Sequence, residues 1–144
     1  MATINGIPSN VTAGKRFKTL DRVFILENEL NFDTLGAANG DVVKALPVAN
    51  GLRILGVEVE IVTPSDAATS ANATVGDTSD DDGFIASVNL KGTAGTVTTT
   101  PGAYGYSRRY TTNDTINVTV AYSGATTVKG KIKIRAIAVK MTDA

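Results

Sequence analysis

Strict alternation of apolar and polar residues is the feature that most restricts what this chain can become. In DTINVTVAY, from Asp114 to Tyr122, the residues Ile116, Val118, Val120 and Tyr122 point one way and Thr115, Asn117 and Thr119 the other. Successive side chains of a strand lie on opposite faces, so such a run builds a sheet with one dry face and one wet face. KGKIKIRAIAVKM repeats the pattern, with Ile132, Ile134, Ala136 and Ala138 alternating with Lys131, Lys133 and Arg135. Ile137 and Val139 then replace the charges on the polar side, so the second half of that strand is expected to be covered on both faces. Between Gly40 and Asn89 the runs GDVVKALPV and LRILGVEVEIVTP lead into the polar turn VGDTSDDDGFIASVN, while helical periodicity is nearly absent throughout.

Eight strands are expected, near residues 21 to 28, 41 to 47, 52 to 63, 72 to 76, 83 to 88, 103 to 110, 115 to 122 and 129 to 141. A chain of 144 residues suits one domain and buries roughly two-thirds of the surface it exposes unfolded. The expectation is therefore an all-β, two-sheet sandwich over residues 18 to 144, with the strand count matching an eight-stranded jelly roll and an immunoglobulin-like sandwich as the alternative. Its predicted core is Val23, Ile25, Val57, Val59, Ile61, Phe84, Ile116, Val118, Val120, Ile132 and Ile134. In LRILGVEVEIV, Leu52 and Ile54 share a phase with Glu58 and Glu60, which requires a one-residue shift and places a bulge at Gly56. Asn39-Gly40, Asn50-Gly51 and Asp82-Gly83 offer positive backbone angles for turns, and the Gly-rich segment from Lys91 to Gly105 reads as a long loop. Residues 1 to 17 carry Gly6, Pro8 and Gly14 without a sustained period and read as an extended N-terminal arm, able to reach ~55 Å at ~3.3 Å per residue. Such an arm either frays or places Ile4, Ile7 and Val11 against a neighbouring subunit.

Composition removes several chemistries. Without Cys there is no disulfide, thiolate metal site or cysteine nucleophile, and without His the usual general base and commonest metal ligand are gone. Fourteen basic residues balance fourteen acidic ones, so neither nucleic acid nor an anionic membrane is an expected partner. The amino terminus lacks the apolar core of a signal peptide and no run is long enough to span a bilayer, which predicts a soluble product made in the cytoplasm. Sequons at Asn10, Asn72, Asn113 and Asn117 are read as chance in a Thr-rich chain.

The cluster Asp77, Asp80, Asp81 and Asp82 fails the EF-hand pattern, because Thr78 stands at the first ligand position and Asn89 at the twelfth. A solvated turn is expected there, an irregular cation site being the alternative, and no metal or cofactor is assigned. Glu58 and Glu60 lie about 6.8 Å apart along a strand, a spacing that suits two-carboxylate hydrolysis but that any exposed E-x-E also produces. GATTVKGK, from Gly124 to Lys131, departs from the phosphate-loop pattern in spacing and at Ile132. Lys129, Lys131, Lys133 and Arg135, with Arg108 and Arg109, are expected to form a basic strip, read first as a solvated guard against edge pairing and second as a subunit interface. Tyr104, Tyr106 and Tyr110 beside it sketch a platform for sugar or nucleic acid.

The stretch GDVVKALPVANGLRILGVEVEIV followed by VGDTSDDDGFIAS resembles the small decoration, or cement, proteins of tailed bacteriophages; the likeness covers roughly Asp21 to Asn89 and rests on pattern. That resemblance implies a β-sandwich, often a jelly roll, which sits as a dimer or trimer on the outer surface of the assembled head and bridges subunits of the major capsid protein. It implies a structural virion protein rather than an enzyme, and it transfers no catalytic residue. A tail- or fibre-associated carbohydrate-binding module is the competing expectation, weakened by the lack of Trp, and a hydrolase using Glu58 and Glu60 is a third.

Overall fold

The computed structural model describes residues 23–124 and 129–140, so the expected arm at 1 to 17, with Ile4, Ile7 and Val11, lies outside the described residues. Nine strands and one helical turn are present among them: β1 Val23–Asn31, α1 Phe32–Leu35, β2 Val42–Val48, β3 Leu52–Thr63, β4 Ser70–Gly76, β5 Ile85–Asn89, β6 Val97–Thr98, β7 Arg108–Arg109, β8 Asp114–Ser123 and β9 Lys131–Lys140. They form two sheets, one ordered β1-β9-β3-β6 with β7 also on β3, the other ordered β2-β8-β4-β5. Every pairing is antiparallel. The expected all-β, two-sheet sandwich is thus the fold.

The core lies between the sheets, as the alternation requires. β9 contributes Ile132, Ile134, Ala136 and Ala138, and β8 opposes it with Ile116, Val118 and Val120. Nine of the eleven predicted core residues are buried, the exceptions being Val23 and Ile25, each 62% exposed. The reason is a missing phase signal: VFIL is apolar on both faces, so alternation cannot say which face turns inward. Pairing with β9 decides it. Phe24 sits opposite Ala138, Leu26 opposite Ala136 and Leu30 opposite Ile132, which sends Val23 and Ile25 outward.

The bulge falls where the sequence places it. Ile54 pairs with Ala138 but Gly56 pairs with Ile137, so Leu55 is the extra residue, and Leu52 and Ile54 share the core with Val57, Val59 and Ile61. The segment from 91 to 105 is less free than expected: Val97 and Thr98 add β6 to β3, and Ile61 accepts from the Gly95 amide and donates to the Thr96 carbonyl. Conversely the strand expected over 103 to 110 shrinks to Arg108 and Arg109, because the chain turns through Gly102 to Gly105. Gly40 and Gly51 take φ of 87° and 92°, as their turns demand. Gly83 does not adopt positive φ; a Cβ there would overlap the Tyr104 ring, so it is space and not backbone freedom that requires glycine.

Candidate protein interface on the outer sheet face

The outward side of the β1-β9-β3 layer divides into a charged half and an apolar half. In the charged half the register sets Glu27 and Glu58 either side of Arg135, and Glu29 and Glu60 either side of Lys133. Arg135 donates through Nε to Glu27 at 2.8 Å and through one terminal nitrogen to Glu58 and Glu60 at 3.0 Å each. Its hydrogen bond holds the Glu27 carboxyl below its ordinary value, and the three glutamates in turn raise the guanidinium pKa. The expected basic strip is therefore an alternation of acid, base and acid across three strands. β9 also lies in the middle of its sheet, so Lys131, Lys133 and Arg135 are not edge guards. Lys129 is exposed just ahead of β9.

Arg108 and Arg109 separate. Arg109 pairs with Arg53 and shares the outer face, whereas Arg108 pairs with Ile54 and points inward. There it meets Asp77, whose side chain is fully buried and collects five donors: the Tyr104 hydroxyl at 2.6 Å, the Tyr110 hydroxyl at 2.8 Å, Arg108 Nε at 3.1 Å, and the amides of Ser79 and Asp80 at 2.9 and 3.1 Å. Burial alone would raise the Asp77 pKa, but the hydrogen bonds from Tyr104, Tyr110, Ser79 and Asp80 outweigh it and hold the carboxyl below its usual range. The same contact, after burial, pushes both tyrosine hydroxyls well above their ordinary values. The Arg108 guanidinium lies 4.3 Å from the Tyr104 ring centre and 5.2 Å from that of Tyr110, within cation–π range.

This arrangement corrects two expectations. Tyr104 and Tyr110 do not form a platform with Tyr106, since their hydroxyls are spent on Asp77 and only Tyr106 stands out, 67% exposed. Asp77 leaves the acidic turn for the interior; the carboxylates of Asp80, Asp81 and Asp82 remain at the surface with oxygens within 4.8 Å of one another, and Asp80 raises the Asp82 pKa. Glu58 and Glu60, the candidate hydrolytic pair, share one guanidinium as counter-ion.

What the sequence reading missed is a cleft of about 260 Å³ where the two halves meet, bordered by Ile25, Leu55, Ile137, Pro101 and Tyr106 and closed by Glu58 and Arg135. Ile25 and Ile137 face each other across the β1–β9 pair, and Ile137 is 45% exposed rather than covered, while Val139 is buried. The signal was Ile137 itself, an apolar residue in the phase of Lys131 to Arg135. The wall from Pro101 to Tyr106 is held by the Asp77 cluster: Gly102 donates to the Phe84 carbonyl, Tyr104 to that of Gly83, and the rings of Phe84 and Tyr104 meet edge to face at 5.1 Å.

Neither a family model nor a curated protein sequence matches the chain. Solved structures share its fold. A chain of the acidic stable capsid structure of Helicobacter pylori bacteriophage KHP30 aligns with a TM-score of 0.63 at 16% identity, over 86% of this chain and 92% of its own. One from the capsid of Ralstonia phage GP4 aligns with a TM-score of 0.66 at 16% identity, over 90% and 91%. One from the cyanophage Pam1 capsid asymmetric unit gives 0.65 at 17% identity, over 94% and 100%.

Proposed function

We propose that this chain is a structural component of a phage capsid, a decoration protein that binds the outer surface of an assembled head and bridges subunits of the major capsid protein. The observation that carries the reading is structural likeness, over 86 to 94% of this chain, to chains from three phage capsid structures. The strand order supports the jelly-roll form of the sandwich: the first strand lies beside the last in one sheet, and the second beside the eighth in the other. The outer sheet face supports the bridging role, since it sets ordered charges beside exposed apolar residues on rigid strands, which favours orientation as well as contact. In this reading Lys129, Lys131, Lys133, Arg135 and Arg109 orient the docked subunit, Arg108 acts indirectly by fixing the wall from Pro101 to Tyr106, and the arm carrying Ile4, Ile7 and Val11 reaches a neighbour. Self-association as a dimer or trimer would multiply contacts that are individually modest.

The test is co-sedimentation of the purified protein with heads assembled from the cognate major capsid protein. Saturable binding in fixed ratio to the capsid subunit, together with a rise in the temperature at which heads rupture, is the expected result. Failure to sediment with heads, with retention on a glycan column instead, would overturn it in favour of carbohydrate recognition.

A further inference from the structure

We propose that the cleft beside Ile25, Leu55, Ile137 and Tyr106 receives the amino-terminal segment of a second copy of this chain, with Ile7 as the inserted side chain. The inference rests on the capsid reading above and names the surface on which the arm is buried. Three observations commit the cleft to this occupant. Its volume of about 260 Å³ lies below the roughly 300–1,000 Å³ of small-molecule sites and suits one or two side chains of an extended peptide. Most of its border is apolar and exposed, with Ile25 62% and Tyr106 67% accessible, and Glu58 and Arg135 close its charged end. Charge supplies the third. Residues 1 to 22 hold Lys15, Arg16, Lys18 and Arg22 against Asp21, a net of +3, and since the whole chain is neutral the remaining 122 residues carry −3.

Sequence and exit point favour a second copy over the same one. β1, β3 and β9 end together at Val23, Leu52 and Lys140, which puts Val23 at the rim of its own sheet. Of the eight residues KRFKTLDR before Val23 only Asp21 is a common turn residue, which leaves little to build a tight reversal toward the cleft of the same copy. Ile7 precedes Pro8, which disfavours helical backbone at Ile7 and favours the extended form that lies along a sheet face. Donor and receptor surfaces differ, so the contact is heterologous and propagates around a ring or over a lattice.

Because the chain has no cysteine, the contact is open to disulfide trapping in the full-length protein. Ile7→Cys protein is mixed with Ile137→Cys protein on assembled heads under mild oxidation, with Ser87→Cys, on exposed β5 of the other sheet, as the control receptor. A second receptor, Tyr106→Cys, guards against a folding defect at Ile137. The expected result is a cross-linked dimer forming at least tenfold faster with Cys at 137 or 106 than at 87, since the bond requires Cα atoms within about 7 Å. Equal rates at all three positions, or a bond within one chain in the Ile7→Cys/Ile137→Cys double variant, overturns the proposal. Sedimentation of the same samples separates the two readings: protein that binds heads without selective cross-linking defeats the cleft assignment alone, and selective cross-linking without head binding defeats the capsid reading alone.

Discussion

Two arginines in this domain meet carboxylates in opposite ways. Arg135 holds three, Glu27, Glu58 and Glu60, on the open face of a sheet. Arg108 holds one, Asp77, whose side chain has no solvent contact and also binds two tyrosine hydroxyls. A count of ion pairs ranks Arg135 first; physical chemistry ranks it second. Exposed pairs gain little because water and salt screen them and long side chains lose freedom, whereas a buried charge stripped of its partner has nothing to replace it. The single pair at Asp77 therefore governs the fold, and the triple pair at Arg135 governs what the surface presents.

The sharpest way to break that ranking is Asp77→Ala. It leaves Arg108, Tyr104 and Tyr110 without their common acceptor, and a loss of about 3 kcal/mol is expected, the low end for breaking a buried pair because the Arg108 side chain remains 29% exposed. Denaturant titration reads the loss, and near-ultraviolet circular dichroism should report release of the two tyrosines. Asp77→Asn, which keeps one acceptor oxygen, is expected to cost less, about 2 kcal/mol. A cost below that of Arg135→Ala would invert the comparison.

Gly83→Ala probes the same cluster from its packing side. The added methyl overlaps the Tyr104 ring, which cannot swing away while it holds Asp77 and packs on Phe84, so a loss of about 1–3 kcal/mol is expected. In an Asp77→Ala background the ring is free to move, and the cost of the methyl should fall. Equal cost in both backgrounds would show that the clamp does not restrain the ring.

The contrast also explains what the sequence could reveal. The outer ladder was legible because alternation on β9 fixes which residues face out, and the bulge at Gly56 announced itself as a phase error in LRILGVEVEIV. Its partners were not: a strip seen on one strand says nothing about the neighbours, and only the pairing of β9 with β1 and β3 turns basic residues into an alternating field. The Asp77 cluster was illegible for a different reason. Tyr104, Arg108 and Tyr110 lie 27 to 33 positions from Asp77, on or beside the two-residue strand β7, and Asp77 sits in a run of acids whose plainest reading is a wet turn. Position 23 to 26 shows the limit of patterning itself, since four apolar residues in succession carry no phase.

Acid should separate the two regions more gently. The folded-state pKa of Asp77 is depressed, so its contribution to stability is fully present above the unfolded carboxyl value, about 3.9, and drains as pH falls through the lower folded value. Melting temperature is expected to drop more steeply below about pH 4 in the parent than in Asp77→Asn, which has no charge to lose there. Parallel curves for the two proteins would mean that Asp77 binds protons alike in the folded and unfolded chains, so that its pKa is not depressed in the fold.

The smallest effect on the isolated domain is expected at Arg135→Ala. Its side chain lies among three glutamates that water already solvates in part, with Glu27 51% exposed, so removal should shift the melting temperature only slightly. Even that shift should vanish near 1 M salt, where the screening length falls to about 3 Å. The consequence for binding runs the other way. Loss of Arg135 leaves Glu27, Glu58 and Glu60 as an acidic patch compensated only in part by Lys133, and the orientation that the alternating charges impose on a docked subunit is lost with it. Retention on heads should therefore weaken at low salt while the fold persists, and the added substitution Glu58→Gln should restore part of it by thinning the patch. A variant that unfolds with the severity of Asp77→Ala would show that this face belongs to the stability of the sandwich and not to its partners.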